Sequence, residues 1–499
     1  MSGIKKLAGQ TMWYGVSSIA ARFINYLLTP YLTFKFSEAQ YGEMSIVYSF
    51  IPFMNVVFTY GMETAFFRFA NHADKKNVFN TTSLSLMVTT ILFTLALIML
   101  QHPLSILLQV TEHPEYLSLS AALIALDALC IIPFAKLRQD GRPKKFAIIK
   151  VGGILINMFS VYFFLSICPR MIASDPASLV AKFFDPNWAV GYVLVANVIQ
   201  NAITLLLLSK ELLSVEFKID KKLWKEMMLY GIPLILAGFA GMINETFDRI
   251  MLGWWAPVTS VDAAKAEVGI YSACYKLSIL ISLAVQAFRM GAEPFFFKQS
   301  KEENAPKVYA RVMKFFVITL CFMFLMVAMY LDIWKLFIRN PKMWVGLKVV
   351  PVLLLANMFL GIYYNLSVWY KLGNKTIAGA YITLIGAAIT LTINWIFIPY
   401  FSYMACAWAT FACYGSMMIV SYAWGQKQYR IPYATKKLVA YIVMVVLLFF
   451  IHKGAVYFLP AQWFSLAFAT LLLGSFFWFI LQIEKKEFQK FPVIGRYVR

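Results

Sequence analysis

Apolar runs of about 20 residues follow one another almost from end to end of this chain, parted by short polar or charged segments. At 1.5 Å of rise per residue, a helix of that length crosses the ~30 Å hydrocarbon core of a bilayer. Fourteen spans are predicted, at 10–33, 40–62, 80–100, 116–136, 146–167, 188–209, 227–252, 267–291, 311–331, 346–370, 376–398, 403–424, 437–459 and 463–483. The segments between them are too short for a separate soluble domain. The pattern is that of an all-α polytopic membrane protein. The first run is too long for a signal-peptide core and lacks a small-residue cleavage pattern after it, so it is expected to be retained.

Composition agrees. Of 499 residues, 61% are hydrophobic and 14% charged, against about 45–50% and about 25% in soluble domains. That excludes soluble enzymes, secreted disulfide scaffolds and most membrane-anchored catalytic domains. A net charge of +21 raises the question of nucleic acid, but its placement follows the spans. With the N-terminus inside and cations at span ends counted with the adjoining side, Lys and Arg divide 32 to 9 between the inner and outer sides, and four more lie deeper within spans. This is the positive-inside pattern. The basic segments 136–150, 210–225, 298–314 and 427–437 are therefore read as cytoplasmic, with both termini on the same side. Contact with membrane lipid head groups is a secondary expectation, and no nucleic-acid partner is expected.

Cysteine usage adds no chemistry. Cys130, Cys274, Cys321, Cys406 and Cys413 fall inside apolar spans and Cys168 at the outer end of one, while the four histidines are scattered. Small apolar packing is their expected role, and no metal or other cofactor is expected.

An internal repeat organises the spans. Residues 39–48 (AQYGEMSIVY) and 266–275 (AEVGIYSACY) share A-x-x-G-x5-Y. Residues 61–68 (GMETAFFR) and 291–298 (GAEPFFFK) share G-x-E-x-x-F-F-cation, and 14–23 and 230–239 share Y-G-x5-A-x-F. Three matches in one order define two parallel repeats of six spans. The expected organisation is an N-terminal lobe over 1–210, a C-terminal lobe over 211–425, and an extra helix pair with a cytoplasmic tail over 426–499. Two facing six-helix bundles suit alternating access about a central cavity.

Segment 230–298, with INETFDRIMLGWW, VGIYSACYKLSIL and AFRMGAEPFFFK, resembles the polysaccharide-export branch of the multidrug/oligosaccharidyl-lipid/polysaccharide flippase superfamily. LRQDGRPKKFAI at 137–148 is similar to that family's loop between spans four and five. KLGNKT at 371–376, Asn394 and IPYFSYMACAWAT at 398–410 are similar to its corner between spans eleven and twelve. There the family usually has glycines, whereas this chain has Ser402 and Cys406. The resemblance covers nearly the whole chain. It implies flipping of an undecaprenyl-diphosphate-linked oligosaccharide, such as an O-antigen, capsule or exopolysaccharide unit, across a bacterial inner membrane. Polysaccharide-assembly proteins and H+ or Na+ as coupling ion are further partners it implies. In related lipid II flippases an extra helix pair lines a groove for the lipid tail; here that role and simple lipid-facing helices both stand open.

Ionisable residues inside spans are costly and therefore functional candidates. Ser18, Arg22, Asn25 and Thr29 recur along one helical face of span one, so Arg22 and Asn25 are candidate substrate contacts. Asp127 in span four is either a structural partner of Arg22 or a protonatable coupling site. Span seven carries Asn244, Glu245, Asp248 and Arg249; Glu245 and Arg249, four apart, fit an ion pair within the helix, or the group forms a gate or cation site. In span eight Ser282, Gln286, Arg289 and Glu293 share a face, while Lys276 lies nearly opposite Arg289 on a straight helix. Arg249, Lys276 and Arg289 are candidate substrate contacts. Glu63 and Glu293 are equivalent in the repeat and precede Arg68 and Lys298 by five residues, which fits caps, interfacial pairs or a gate. Pro52 and Pro233 are candidate bends.

No enzyme signature is present: there is no P-loop, no H-E-x-x-H and no long outer loop with clustered acids. A membrane glycosyltransferase or O-antigen polymerase is thereby disfavoured. The rival of the same fold, a cation-coupled multidrug exporter, is disfavoured by the cations within spans. The charge asymmetry predicts that reporter fusions within 101–115, a loop without Lys or Arg, read out as periplasmic. A cytoplasmic signal there would overturn the topology.

Overall fold

Polar caps decide where several spans begin. Ser37 accepts the backbone N–H of Gln40 at 3.2 Å, and the Gln40 side chain accepts that of Ser37 at 3.1 Å, a reciprocal cap that opens the helix Glu38–Thr59. Asp220 accepts the N–H groups of Lys222 and Leu223, both at 3.0 Å, and opens Lys221–Trp255. The Leu223 N–H foremost, then the Asn77 side chain, hold the Asp220 carboxyl below the usual carboxylate range.

A computed structural model describes residues 15, 17–300, 302–373 and 375–489. Among these residues the chain is helical almost throughout and forms no strand. Among the described residues twelve helices are long and apolar enough to cross a membrane, and a thirteenth span results if the bent pair Glu38–Thr59 and Met62–Phe69 counts as one. These are the predicted spans two to fourteen. Span one, predicted at 10–33, begins outside the described residues, as does the repeat match at Tyr14. Its described part is helical over 17–26 and Leu28–Lys35, with a turn at Leu27.

The sharp bend of span two is not at Pro52, which lies inside a continuous helix. It lies at Tyr60 and Gly61, with φ of 32° and 76°, and turns the chain by 40°. Both residues take the left-handed conformation that ends a helix, easy for glycine and unfavourable for tyrosine. The Tyr60 hydroxyl, bonded to Ser85 at 2.7 Å, helps hold it there. Span seven receives the bend at Gly231, where a Cβ would stand 2.7 Å from the Tyr60 carbonyl oxygen.

By its internal contacts the chain divides into two compact units, Met1–Ala273 with Thr383–Ala409, and Cys274–Ile382 with Thr410–Arg499. In the first, Glu115–Gln139 packs on Lys75–Met99 and Ala189–Leu207, and Glu38–Thr59 on Lys221–Trp255. The corner between spans four and five follows from its letters. Gly141 takes φ 66°, the Arg142 N–H bonds back to the Leu137 carbonyl at 2.9 Å, and Pro143 starts the next helix. The corner is then fastened to the end of span six, because Glu211, 3% exposed, accepts Lys145 at 2.6 Å and Arg142 at 3.2 Å.

In the second unit, Ala305–Ala328 packs against Val350–Leu366 and against the extra pair Thr435–Phe458 and Gln462–Ile483. The extra pair turns Val439, Val443, Leu447 and Phe450 outward. Its basic end is anchored by Glu484, which is buried and accepts Lys314 at 2.5 Å, the Tyr441 hydroxyl at 2.7 Å and Lys437 at 3.2 Å. Burial alone would raise this carboxyl, but the three donors outweigh it and hold it below the usual range. A depressed carboxyl contributes stability above its unfolded pKa of about 4.3 and loses it as pH falls through the lower folded value. Glu484→Gln is expected to cost about 3 kcal/mol at pH 7, read as a lower melting temperature in detergent. The gap to wild type should close as pH drops below 4.3; equal melting at pH 7 would remove Glu484 as the anchor.

Candidate functional site

Spans two and eight cross at the matching glycines of A-x-x-G. A Cβ on Gly42 would stand 1.7 Å from the Lys265 carbonyl oxygen, and one on Gly269 would stand 1.9 Å from that of Glu38. Each glycine thus lies against the carbonyl four residues before the other, a contact that repeats itself under exchange of the two halves. No side chain fits there. Beside the crossing, Lys265 donates to Glu43 at 2.8 Å, with the two residues 6% and 8% exposed. Ser402 holds φ 48° and donates its hydroxyl to Glu267. That backbone is one glycine adopts without strain, and the hydroxyl bond offsets part of the cost to serine.

A buried polar belt adjoins the crossing. Asp248 accepts Arg249 at 2.8 Å and the Tyr271 hydroxyl at 2.6 Å. Arg249 also donates to the backbone carbonyl of Glu245 at 2.8 Å, while the Glu245 side chain is exposed. The carboxylate against Arg249 is therefore that of its neighbour Asp248, because the side chains face the buried Tyr271 ring, 5.5 Å from the guanidinium. Asn244 donates to the Thr383 carbonyl at 3.1 Å. Asn394 is fully buried, and neither of its amide atoms has a partner among the described residues.

In span one Arg22 and Asn25 are exposed, Ser18 is half-buried and Thr29 is buried. The turn at Leu27 ends the predicted stripe after Asn25, and Thr29 instead stands in the next helix, its carbonyl accepting the Thr33 hydroxyl at 3.0 Å. Asp127 is half-buried, within electrostatic reach of Lys150 and Glu63. Lys276 is half-buried on the portion of span eight that belongs to the second unit.

At the basic ends, each repeat fastens its second span to its fourth. Glu63 is bonded by Arg138, 75 residues away. Glu293 is bonded by Lys371 at 2.6 Å, 78 residues away, and by Arg289 at 2.7 Å. The nearby Arg68 lies over the Tyr230 ring at 4.3 Å. The glutamates thus form interfacial pairs with cations on other helices of their own bundle, and Glu293 adds a pair with Arg289 on its own helix. Arg138, Lys371, Glu43 and Lys265 were not singled out from the sequence. A signal existed for the last two, since Glu43 follows and Lys265 precedes the two A-x-x-G matches closely.

The buried pair at the crossing generates a charge-swap prediction. Glu43→Lys alone should destabilise the protein by about 3 kcal/mol, and addition of Lys265→Glu should recover most of that. Thermal unfolding of the single and double variants reads both effects. A double variant no more stable than the worse single one would show that the pair does not hold the crossing.

The family model described as polysaccharide biosynthesis protein matches residues 7–138 and 177–300. No curated protein matches the sequence. Among solved structures, the lipid II flippase MurJ in an inward closed conformation is similar over 94% of this chain and 99% of its own, with a TM-score of 0.66 at 12% identity. A multidrug resistance MATE family transporter of the MOP superfamily, inward-facing, is similar over 84% of this chain and 95% of its own, with a TM-score of 0.58 at 14% identity. Its family's outward-facing conformation gives 0.56 at 13% identity, over 87% and 96%. These likenesses establish the fold of a multi-pass membrane protein. With over half of its residues matched, covering spans one to four and six to eight, the chain belongs to the polysaccharide biosynthesis protein family.

Proposed function

We propose that this protein flips an undecaprenyl-diphosphate-linked oligosaccharide from the inner to the outer leaflet of a bacterial inner membrane by alternating access. The observation that carries the reading is Arg22, a permanent charge midway along a predicted span and exposed together with Asn25. A guanidinium at that depth does not face lipid, where it would cost about 2.5–3.5 kcal/mol on insertion scales, so it faces a polar cavity. The one feature common to all substrates of this class is a diphosphate. Arginine stays charged in an apolar setting and presents a fork of donors to phosphate oxygens.

In this reading the basic ends are cytoplasmic, and the lobes 1–210 and 211–425 rock about the cavity. The glycine crossing with its Glu43–Lys265 pair closes the outer side, and the Asp248–Arg249–Tyr271 belt backs it. The Glu63–Arg138 and Glu293–Lys371 pairs keep each bundle rigid while the lobes move. Asp127, beside Lys150, is the candidate for coupling to an ion. The multidrug exporters share the fold, yet an arginine in the cavity repels the cationic drugs that such a reading requires.

Arg22→Ala should leave protein abundance intact and stop delivery of lipid-linked oligosaccharide to the outer leaflet. Arg22→Lys should restore only part, because charge is kept and the fork is lost. The measurement is surface polysaccharide in cells together with protein level in the membrane. Full delivery by a stable Arg22→Ala protein would sink the assignment.

A further inference from the structure

A pocket of roughly 380 Å³, mouth included, opens between spans eight and ten within the second unit. Its polar residues include Arg289, Glu293, Lys371, Asn365 and Ser367, and its walls include Phe288 and Tyr364. Both cations bond the same carboxylate oxygen, Oε1 of Glu293, which leaves the group with a surplus positive charge. Arg289 uses its Nε for that bond, so the terminal nitrogens of its fork are not taken by Glu293. Its guanidinium lies over the Tyr364 ring at 4.7 Å. Asn365 is 2% exposed, and neither its amide nitrogen nor its oxygen has a partner among the described residues. A buried amide left unpaired is destabilising.

The other half of the chain shows what this place looks like when it serves packing alone. There Glu63 meets Arg138 as Glu293 meets Lys371. The residue four before Glu63 is Thr59, where the second half has Arg289, and the residue six before Arg138 is Ile132, where the second half has Asn365. Ile132 is 1% exposed and packs in an apolar cluster with Met62, Phe66 and Phe79. Fastening the two spans therefore needs neither a second cation nor an amide. The second half has added both, and has a pocket where the first has a core.

Resting on the flippase reading, we infer that this pocket is a phosphate subsite for the substrate's lipid carrier, separate from Arg22 and placed near the basic ends where the carrier first enters. The free nitrogens of Arg289, the Lys371 ammonium and the Asn365 amide donate to phosphate oxygens, and the surplus charge matches an anion. Phe297 and Leu372, which also line the pocket, give the start of an apolar chain a surface to lie on. Glu293 holds the two cations side by side on one oxygen. Two lipids supply a phosphate on an apolar chain, the diphosphate carrier and an anionic glycerophospholipid of the bilayer.

The test uses the full-length protein in phosphatidylcholine nanodiscs, with undecaprenyl diphosphate and phosphatidylglycerol as separate probes and binding read by native mass spectrometry. Asn365→Ile copies the first half, leaves the ion pairs intact and should raise the melting temperature while weakening undecaprenyl diphosphate at least about tenfold. Arg289→Gln, which keeps the Glu293–Lys371 pair, should weaken it similarly. Phosphatidylglycerol should bind less tightly and respond little to either substitution. Unchanged diphosphate binding in both variants overturns the subsite, as does tighter binding of phosphatidylglycerol that falls in the same variants. Cellular delivery separates this from the broader reading: wild type that delivers, with variants that bind normally, removes the pocket alone. Wild type that delivers nothing, with variants that lose the diphosphate, leaves the pocket and removes the flippase.

Discussion

Inside a hydrocarbon core a charge must find an opposite charge, a set of hydrogen bonds or water, and this requirement organises much of what the structure shows. Asp248 and Glu43 within spans, and Glu211 and Glu484 at span ends, are all buried, and each is met by at least one cation. The cations come from neighbouring spans in most cases, so that satisfying a charge also fastens helices together. Hydrophobic association is weak between helices already surrounded by lipid. Ion pairs and close backbone packing take over part of its role, and the fold is pinned at the places where they occur.

The glycine crossing is the second device of this kind. Gly42 and Gly269 let two helices approach until backbone touches backbone, a geometry suited to membranes, where small residues replace apolar knobs. Its reciprocity follows from the repeat, since related helices meeting about a pseudo-two-fold axis present the same residue to each other. The adjoining ion pair breaks that symmetry. Glu43 and Lys265 have Ile270 and Glu38 as their counterparts, so only one of two equivalent places holds a pair. Duplication supplied the scaffold, and divergence of single positions made its two sides chemically different. The Glu293 cluster follows the same course, with Arg289 and Asn365 standing where the first half keeps Thr59 and Ile132.

Departures from expectation fall where backbone conformation intervenes. Proline suggested a bend at Pro52, yet the helix tolerates it and the chain turns at Tyr60 and Gly61, because two left-handed residues end a helix more decisively than one missing N–H. The polar stripe of span one presumes an ideal helix, whereas a turn stands at Leu27 and Thr29 beyond it is buried, unlike the exposed Arg22 and Asn25. Glu245 and Arg249 have the spacing of an ion pair, but Arg249 turns to Asp248 and the ring of Tyr271, where burial strengthens the attraction.

The sequence by itself determined the class of fold, the position of spans two to fourteen and the equivalence of the two halves, because these depend on local composition and on recurrence along the chain. It also marked Glu63 and Glu293 as charges in need of partners. Spacing offers Glu293 its neighbour Arg289, but the partners on other helices were decided only in three dimensions: Arg138 and Lys371 lie 75 and 78 residues away, on helices that sequence spacing does not relate to them. The contact of Gly42 with the backbone of span eight belongs to the same class. A repeat announces that two glycines are equivalent, but not that they touch. Spacing along one helix reports neighbours three or four residues apart; neighbours across a bundle are set by how helices pack and turn, and that is a property of the folded chain.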